Sequence, residues 1–232
     1  LEHFPDDPLI HAPLTLLLGE INEKALLIGA ELEGFTVSAY VFNGDVEEGG
    51  GDDVIESYGF DANYAFEDDT QGLDMLAGLS YISNIAESGI EDELTDPSDI
   101  DSYTPGAAAY FHVGYQDVFF DAEYMTATEE FGHGELLTGS TGNAGAKPEV
   151  WNLEVGYNYN WWRNLEITLK VAGSDDGEGL GFPRERYGIN FNQEIFDDTV
   201  FSVGYMYDYY DKDDHADRNS QDLVFGQLAV EF

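Results

Sequence analysis

The chain has 232 residues, 8 of them basic and 48 acidic, giving a formal net charge of −40 and a sequence pI near 4.1; such an acidic excess repels phosphates and excludes nucleic acid as a partner. Cysteine is absent, which removes disulfides, zinc-thiolate sites, iron–sulfur clusters and thiol nucleophiles together. No run approaches the roughly 18 apolar residues that cross a bilayer as a helix, while 43% hydrophobic and 14% aromatic residues exceed what a disordered acidic chain carries.

The first ten residues, LEHFPDDPLI, have neither a basic start nor an initiator Met and read as a mature or trimmed piece. Residues Leu1–Glu23 are expected to be an exterior loop or partial strand, because Pro13–Gly19 (PLTLLLG) lacks clean alternation. From Lys24 to Phe232 apolar residues alternate with small or polar ones at a period of two, and helical stripes are nearly missing. In chain order the apolar phase runs Leu26–Leu32, Phe35–Val41, Tyr58–Phe66, Met75–Tyr81, Ala109–Tyr115, Val118–Tyr124, Trp151–Tyr159, Leu165–Val171, Tyr187–Phe191, Phe201–Tyr207 and Val224–Phe232. That makes eleven strands.

A water-soluble barrel or sandwich has the same alternation, with its apolar face inward. Connection lengths separate the two cases. Short links at Glu33-Gly34, Glu67–Gly72, Gln116-Asp117, Asn160–Asn164 and Gln193–Asp198 alternate strictly with long ones at Asn43–Ser57, Ser83–Pro105, Ala127–Pro148, Gly173–Pro183 and Tyr209–Ser220. Outer-membrane barrels are built this way, with short periplasmic turns and long exterior loops. Membrane-interface aromatics fall at the short-turn ends, as Tyr115, Tyr157, Tyr159, Trp161, Trp162, Phe196 and the terminal Phe232. The expected fold class is all-β, an antiparallel transmembrane β-barrel. Single-chain bacterial barrels have an even strand number, so either Pro13–Gly19 is a twelfth strand or, the favoured reading, the chain is the C-terminal part of a larger barrel.

More than half of the 48 acids fall in the long connections and in Leu1–Glu23. An acidic mouth favours cations and repels anions. The same acids also suit a solvated surface in saline surroundings, or divalent bridges to lipopolysaccharide. Loop-bound Ca²⁺ has its candidates in Asp211, Asp213, Asp214 and Asp217, which have calcium-loop composition without EF-hand spacing. No resident cofactor is expected.

In the inward phase Glu31, Asp61, Asp121, Glu123 and Glu154 face Lys170 and Arg186, with Arg184 expected beside them. These eight form the expected lumen and selectivity set. A basic cluster against acids would set up a transverse field across the pore; the alternative is local neutralisation by Glu166 or Glu185. Catalytic signatures such as HExxH, GxSxG, a P-loop and CxxC are absent, so no enzyme is expected. His112 is the one histidine whose phase points inward, as a hydrogen-bonding partner or acid/base neighbour of Asp121 or Glu123.

The stretch Asp7–Asp45 resembles the LbtU-type siderophore porins of Gram-negative outer membranes, in Pro13-Leu14-Thr15-Leu16, Leu18-Gly19-Glu20, Gly34-Phe35 and Tyr40-Val41-Phe42-Asn43-Gly44-Asp45. Ala12-Pro13 replaces the family's aspartate-proline at that point. The resemblance implies an outer-membrane porin passing ferric siderophores, in contact with lipid and lipopolysaccharide; homo-oligomers are left open. The alternatives are a plugged structural barrel that anchors the envelope or sheathes a partner, and a soluble acidic β-domain binding calcium or sugar.

Overall fold

The computed structural model describes residues 13–21, 23–49, 55, 57–91, 94–97, 100–132, 134–136, 145–160, 163–210 and 219–230. Among these, eleven antiparallel strands form one sheet in chain order. They are β1 (Ala25–Leu32), β2 (Phe35–Phe42), β3 (Ser57–Asp68), β4 (Leu73–Ile82), β5 (Gly106–Tyr115), β6 (Val118–Ala127), β7 (Glu149–Tyr159), β8 (Leu165–Asp175), β9 (Glu185–Phe196), β10 (Thr199–Tyr209) and β11 (Ser220–Val230). The short links close as hairpin turns. At Glu33-Gly34 both residues take positive φ, 51° and 86°, the backbone that matches strand twist across a two-residue turn. A register shift between Thr199 and Val200 inserts a bulge beside the β9–β10 turn.

The period-two pattern sorts onto two faces. Among the described residues, apart from Leu27 and Ile55, every large hydrophobic that is exposed lies on the outer face, as with Leu79 at 66% and Leu169 at 50%. Trp151 is also on this face, paired across the sheet with Tyr124. Tyr115, Tyr157, Tyr159 and Phe196 stand exposed on it at the short-turn ends. A second aromatic ring, which the sequence reading did not anticipate, occupies the long-loop ends: Tyr58, Phe60 and Tyr81 pack together, with Tyr124, Trp151, Tyr187 and Tyr205 around the circumference. Its hydroxyls meet outward acids at the rim, Tyr187 donating to Glu185 at 2.9 Å and Tyr205 to Asp222. From Trp151 to Tyr159 on β7 is about 27 Å along the strand at ~3.4 Å per residue. A strand tilt of about 40° makes that a band roughly 20 Å tall, comparable to the apolar belt of outer-membrane barrels.

The inner face does not enclose a lumen that is polar throughout. Pro13–Gly19 is neither strand nor exterior loop: Leu14–Gly19 forms helix α1, with Pro13 at its N-cap and Leu14, Thr15 and Leu18 buried against β6, β7 and β8. A leucine run without alternation gains nothing from a pleated, two-faced environment, whereas as one helical turn and a half it buries its side chains. Around α1 the long connections fold inward. Val46, Ile85, Ala86, Ile90, Leu94, Ile100, Phe131, Leu136, Ala146 and Phe182 join Phe42, Ile82, Met125, Ala127, Val150 and Ala172 of the wall in one buried apolar cluster with Leu14 and Leu18. Loops are tied to one another by backbone, with Glu47 N–H donating to the Pro97 carbonyl at 2.8 Å and Thr95 N–H to that of Glu135 at 2.8 Å. The long-loop half of the interior is therefore an apolar plug and not part of the expected lumen.

β1 and β11 are the two ends of the sheet and are not hydrogen-bonded to each other. With eleven alternating strands they run in the same direction, so antiparallel closure requires an odd number of strands between them. The inner face of β1 is accordingly exposed along its length.

Candidate functional site

Below the plug the inner wall carries a belt of polar side chains placed by strand register. Asp61 on β3 accepts hydrogen bonds from Ser80 Oγ at 2.6 Å, Asn63 Nδ2 at 2.9 Å and Tyr110 Oη at 3.0 Å, gathering β3, β4 and β5 onto one carboxylate. The Tyr110 ring reaches that point by lying across Gly78 of β4. One row lower, His112 bridges two carboxylates: Nε2 lies 2.7 Å from Asp74 Oδ2 and Nδ1 contacts Asp121. Asp121 was expected there; Asp74 was missed, and its place opposite Gly114, beside the His112 row, depends on the β4–β5 register across the long Ser83–Pro105 connection.

On β6 to β8, Glu123 accepts the hydroxyl of Thr15 and so joins α1 to the wall. Glu154 and Lys170 stand directly opposite each other, and Lys170 Nζ lies 2.9 Å from Glu154 Oε1 with both side chains 5% exposed. Asn152 Nδ2 donates to the same carboxylate oxygen at 2.9 Å. Arg186 and Asp208 are likewise cross-strand partners, and Arg186 binds Asp208 in bidentate fashion, Nε to Oδ1 at 2.8 Å and Nη2 to Oδ2 at 2.9 Å.

This geometry corrects the transverse-field expectation. The two buried cations do not form a bare basic wall facing acids across the lumen; each is neutralised by its neighbour on the adjacent strand. The neutralising groups are Glu154 and Asp208, not Glu166 or Glu185. Arg184 precedes β9 in an exposed bend, where its carbonyl accepts the Ser174 N–H at 3.3 Å. Glu31 faces inward on β1 but is exposed at the open end of the sheet. Trp161, Trp162, Phe232 and the calcium candidates Asp211, Asp213, Asp214 and Asp217 lie outside the described residues. Among the described residues no group of three metal-ligating side chains comes together.

At the short-turn end the polar belt opens into a cavity of about 450 Å³ lined by Asn158, Asn164, Glu166, Asn192, Glu194, Asp198, Thr199 and two small apolar residues of β10 and β11. Its side chains are pre-oriented, Asn192 Nδ2 donating to Glu166 at 2.9 Å and Asn164 Nδ2 to Glu194 at 3.2 Å. A space of that size admits a small polar solute. Plug above and vestibule below divide the interior into two compartments.

No family model matches the chain. A UPF0422 protein of Coxiella burnetii (strain RSA 493 / Nine Mile phase I) is 24% identical over 206 residues, covering 86% of this chain and 43% of the relative. UPF0422 protein lpl2888 of Legionella pneumophila (strain Lens) is 24% identical over 222 residues, covering 86% of this chain and 40% of the relative. The chain thus spans about two fifths of the length of the curated relatives it matches. Among solved structures, the NanC porin aligns with a TM-score of 0.42 at 11% identity, over 90% of this chain and 92% of that one. At that score the likeness carries no argument about function.

Proposed function

We propose that the chain forms the wall and plug of an outer-membrane porin-like protein that passes small polar solutes, with the long loops outside the cell and the short turns in the periplasm. The observation that carries this reading is the segregation of faces: bulky apolar side chains outward around the sheet, and Asp61, His112, Glu123, Glu154, Lys170, Arg186 and Asp208 inward. Lipid accepts the first set and an aqueous path the second. The acidic long connections favour cations at the mouth. Parity of β1 and β11 and the greater length of the relatives support closure of the sheet by further strands of a longer protein.

Ferric siderophores are the proposed cargo, on the resemblance alone. Of the stretches that bear it, Pro13–Glu20 and Tyr40–Asp45 meet in the plug, where Phe42 packs in the same cluster as Leu14 and Leu18. A second reading, a closed structural barrel, is favoured by that same plug. Planar-bilayer recording of the full-length protein separates them: stepwise conductance that grows when Pro13–Gly19 is deleted fits a plugged channel, and silence from both proteins fits a closed barrel.

A further inference from the structure

Gly188 of β9 is left uncovered where neighbouring glycines of the inner wall are not. Phe119 lies across Gly156 and Phe225 across Gly204, each ring within 2.4 Å of where a Cβ would stand. Gly188, opposite Lys170 in the β8–β9 register, has no ring over it: a Cβ there would meet Lys170 Cβ at 3.4 Å, an ordinary contact. Above it a hollow of about 10 Å³ is lined by Thr168, Lys170, Asn190, Met206 and Phe225. That is room for one water molecule. Thr168, Lys170, Asn190 and Met206 are each no more than 5% exposed.

Two polar atoms of this lining lack a hydrogen-bond partner among the described residues, Asn190 Oδ1 and Lys170 Nζ. Lys170 Nζ touches Glu154 Oε1 at 2.9 Å as an ion pair, but out of line for a hydrogen bond. The orientation of Asn190 is set from the vestibule side. The Glu166 carboxylate only accepts, so Asn192 turns Nδ2 toward it at 2.9 Å and Oδ1 toward Asn190. Asn190 then donates Nδ2 to Asn192 at 2.8 Å, and its carbonyl oxygen is left for the hollow.

We propose that the hollow over Gly188 binds one water molecule, which accepts from Lys170 and donates to Asn190. Hydrogen bonds then run head to tail from the Lys170 ammonium through the water, Asn190 and Asn192 to Glu166 in the vestibule lining. Thr168 Oγ1, which donates to Glu166 at 3.3 Å, keeps lone pairs for the water's second proton. The lining selects its occupant. A halide would face the Asn190 carbonyl and a metal cation the Lys170 ammonium, whereas water offers a lone pair to one and a proton to the other. Burying both atoms without partners costs more than holding the water does. The relay fixes the turn of Asn192 and Glu166, so the water supports the vestibule from behind. It belongs to the wall whether or not the protein conducts.

A crystal structure of the full-length protein, grown with and without bromide, should show a water within hydrogen-bonding distance of both Lys170 Nζ and Asn190 Oδ1. A bromide anomalous peak at that place, or a dry hollow, overturns the site. Stability gives a second reading. Gly188→Ala puts a methyl group where the water sits, and Gly188→Ser puts a hydroxyl there. The unfolding constant of Gly188→Ala in urea should exceed that of Gly188→Ser by about tenfold, with Gly188→Ala no more stable than the wild type. A dry hollow reverses the order: the methyl group fills a void, Gly188→Ala gains stability over the wild type, and Gly188→Ser falls below it.

Discussion

At the scale of single residues, the inner wall shows why a chain of net charge −40 places two of its few cations where water does not reach. Lys170 and Arg186 each sit opposite an acid on the next strand, so each pair is desolvated together and each partner depends on the other. Lys170→Met should leave Glu154 buried beside Glu123 without compensation and cost about 3–5 kcal/mol in thermal or urea unfolding from detergent. The double variant Lys170→Met/Glu154→Leu should recover most of that loss, and a single variant that unfolds like the wild type contradicts the pairing. The inward phase of these residues was legible in the sequence, because a period of two fixes the face. Their partners needed register. Glu154 opposite Lys170 follows once the Asn160–Asn164 turn is counted, whereas Arg186 opposite Asp208 emerges only when the bulge at Thr199/Val200 is included. Asp74 shares the inward phase of β4, but its partner His112 lies across the long Ser83–Pro105 connection, so their meeting required the β4–β5 register.

At the scale of elements, the eleven strands and their long-short alternation were readable because each strand has two unlike surroundings. α1 was not. Six residues of Leu, Thr and Gly carry too little sequence to distinguish a buried helical turn from a strand, and the decision belongs to the loops that fold over it. Those loops read as solvated acidic runs, yet their scattered Val46, Ile85, Ile90, Leu94, Ile100, Phe131 and Leu136 build the apolar cluster with α1. Leu18→Ala should open a cavity in that cluster at a cost of about 2–5 kcal/mol to the plug. Because α1 also holds the wall through Thr15 and Glu123, Leu18→Asp should displace the helix altogether and increase open probability in single-channel records. Unchanged records from Leu18→Asp would mean that α1 does not obstruct the path.

At the scale of the whole molecule, the sheet separates its two faces: charged side chains line the inner wall, hydrophobic side chains ring the outside, and a second apolar set is buried in the plug beneath the acidic long connections. An acidic mouth should give cation preference in reversal potentials, and that preference should shrink as the screening length falls from about 10 Å at 0.1 M salt to about 3 Å at 1 M. The outer face of the sheet should meet hydrocarbon, and β8 tests this in one strand. Nitroxide labels placed singly at each position from Leu165 to Val171 of the full-length protein in lipid should alternate. Labels at Ile167, Leu169 and Val171 should favour collisions with oxygen dissolved in the bilayer, while labels at Glu166 and Thr168 should be shielded from it. A strand whose labels show no alternation, or whose Glu166 and Thr168 positions meet the lipid, contradicts the outward apolar face and with it the membrane reading of the protein.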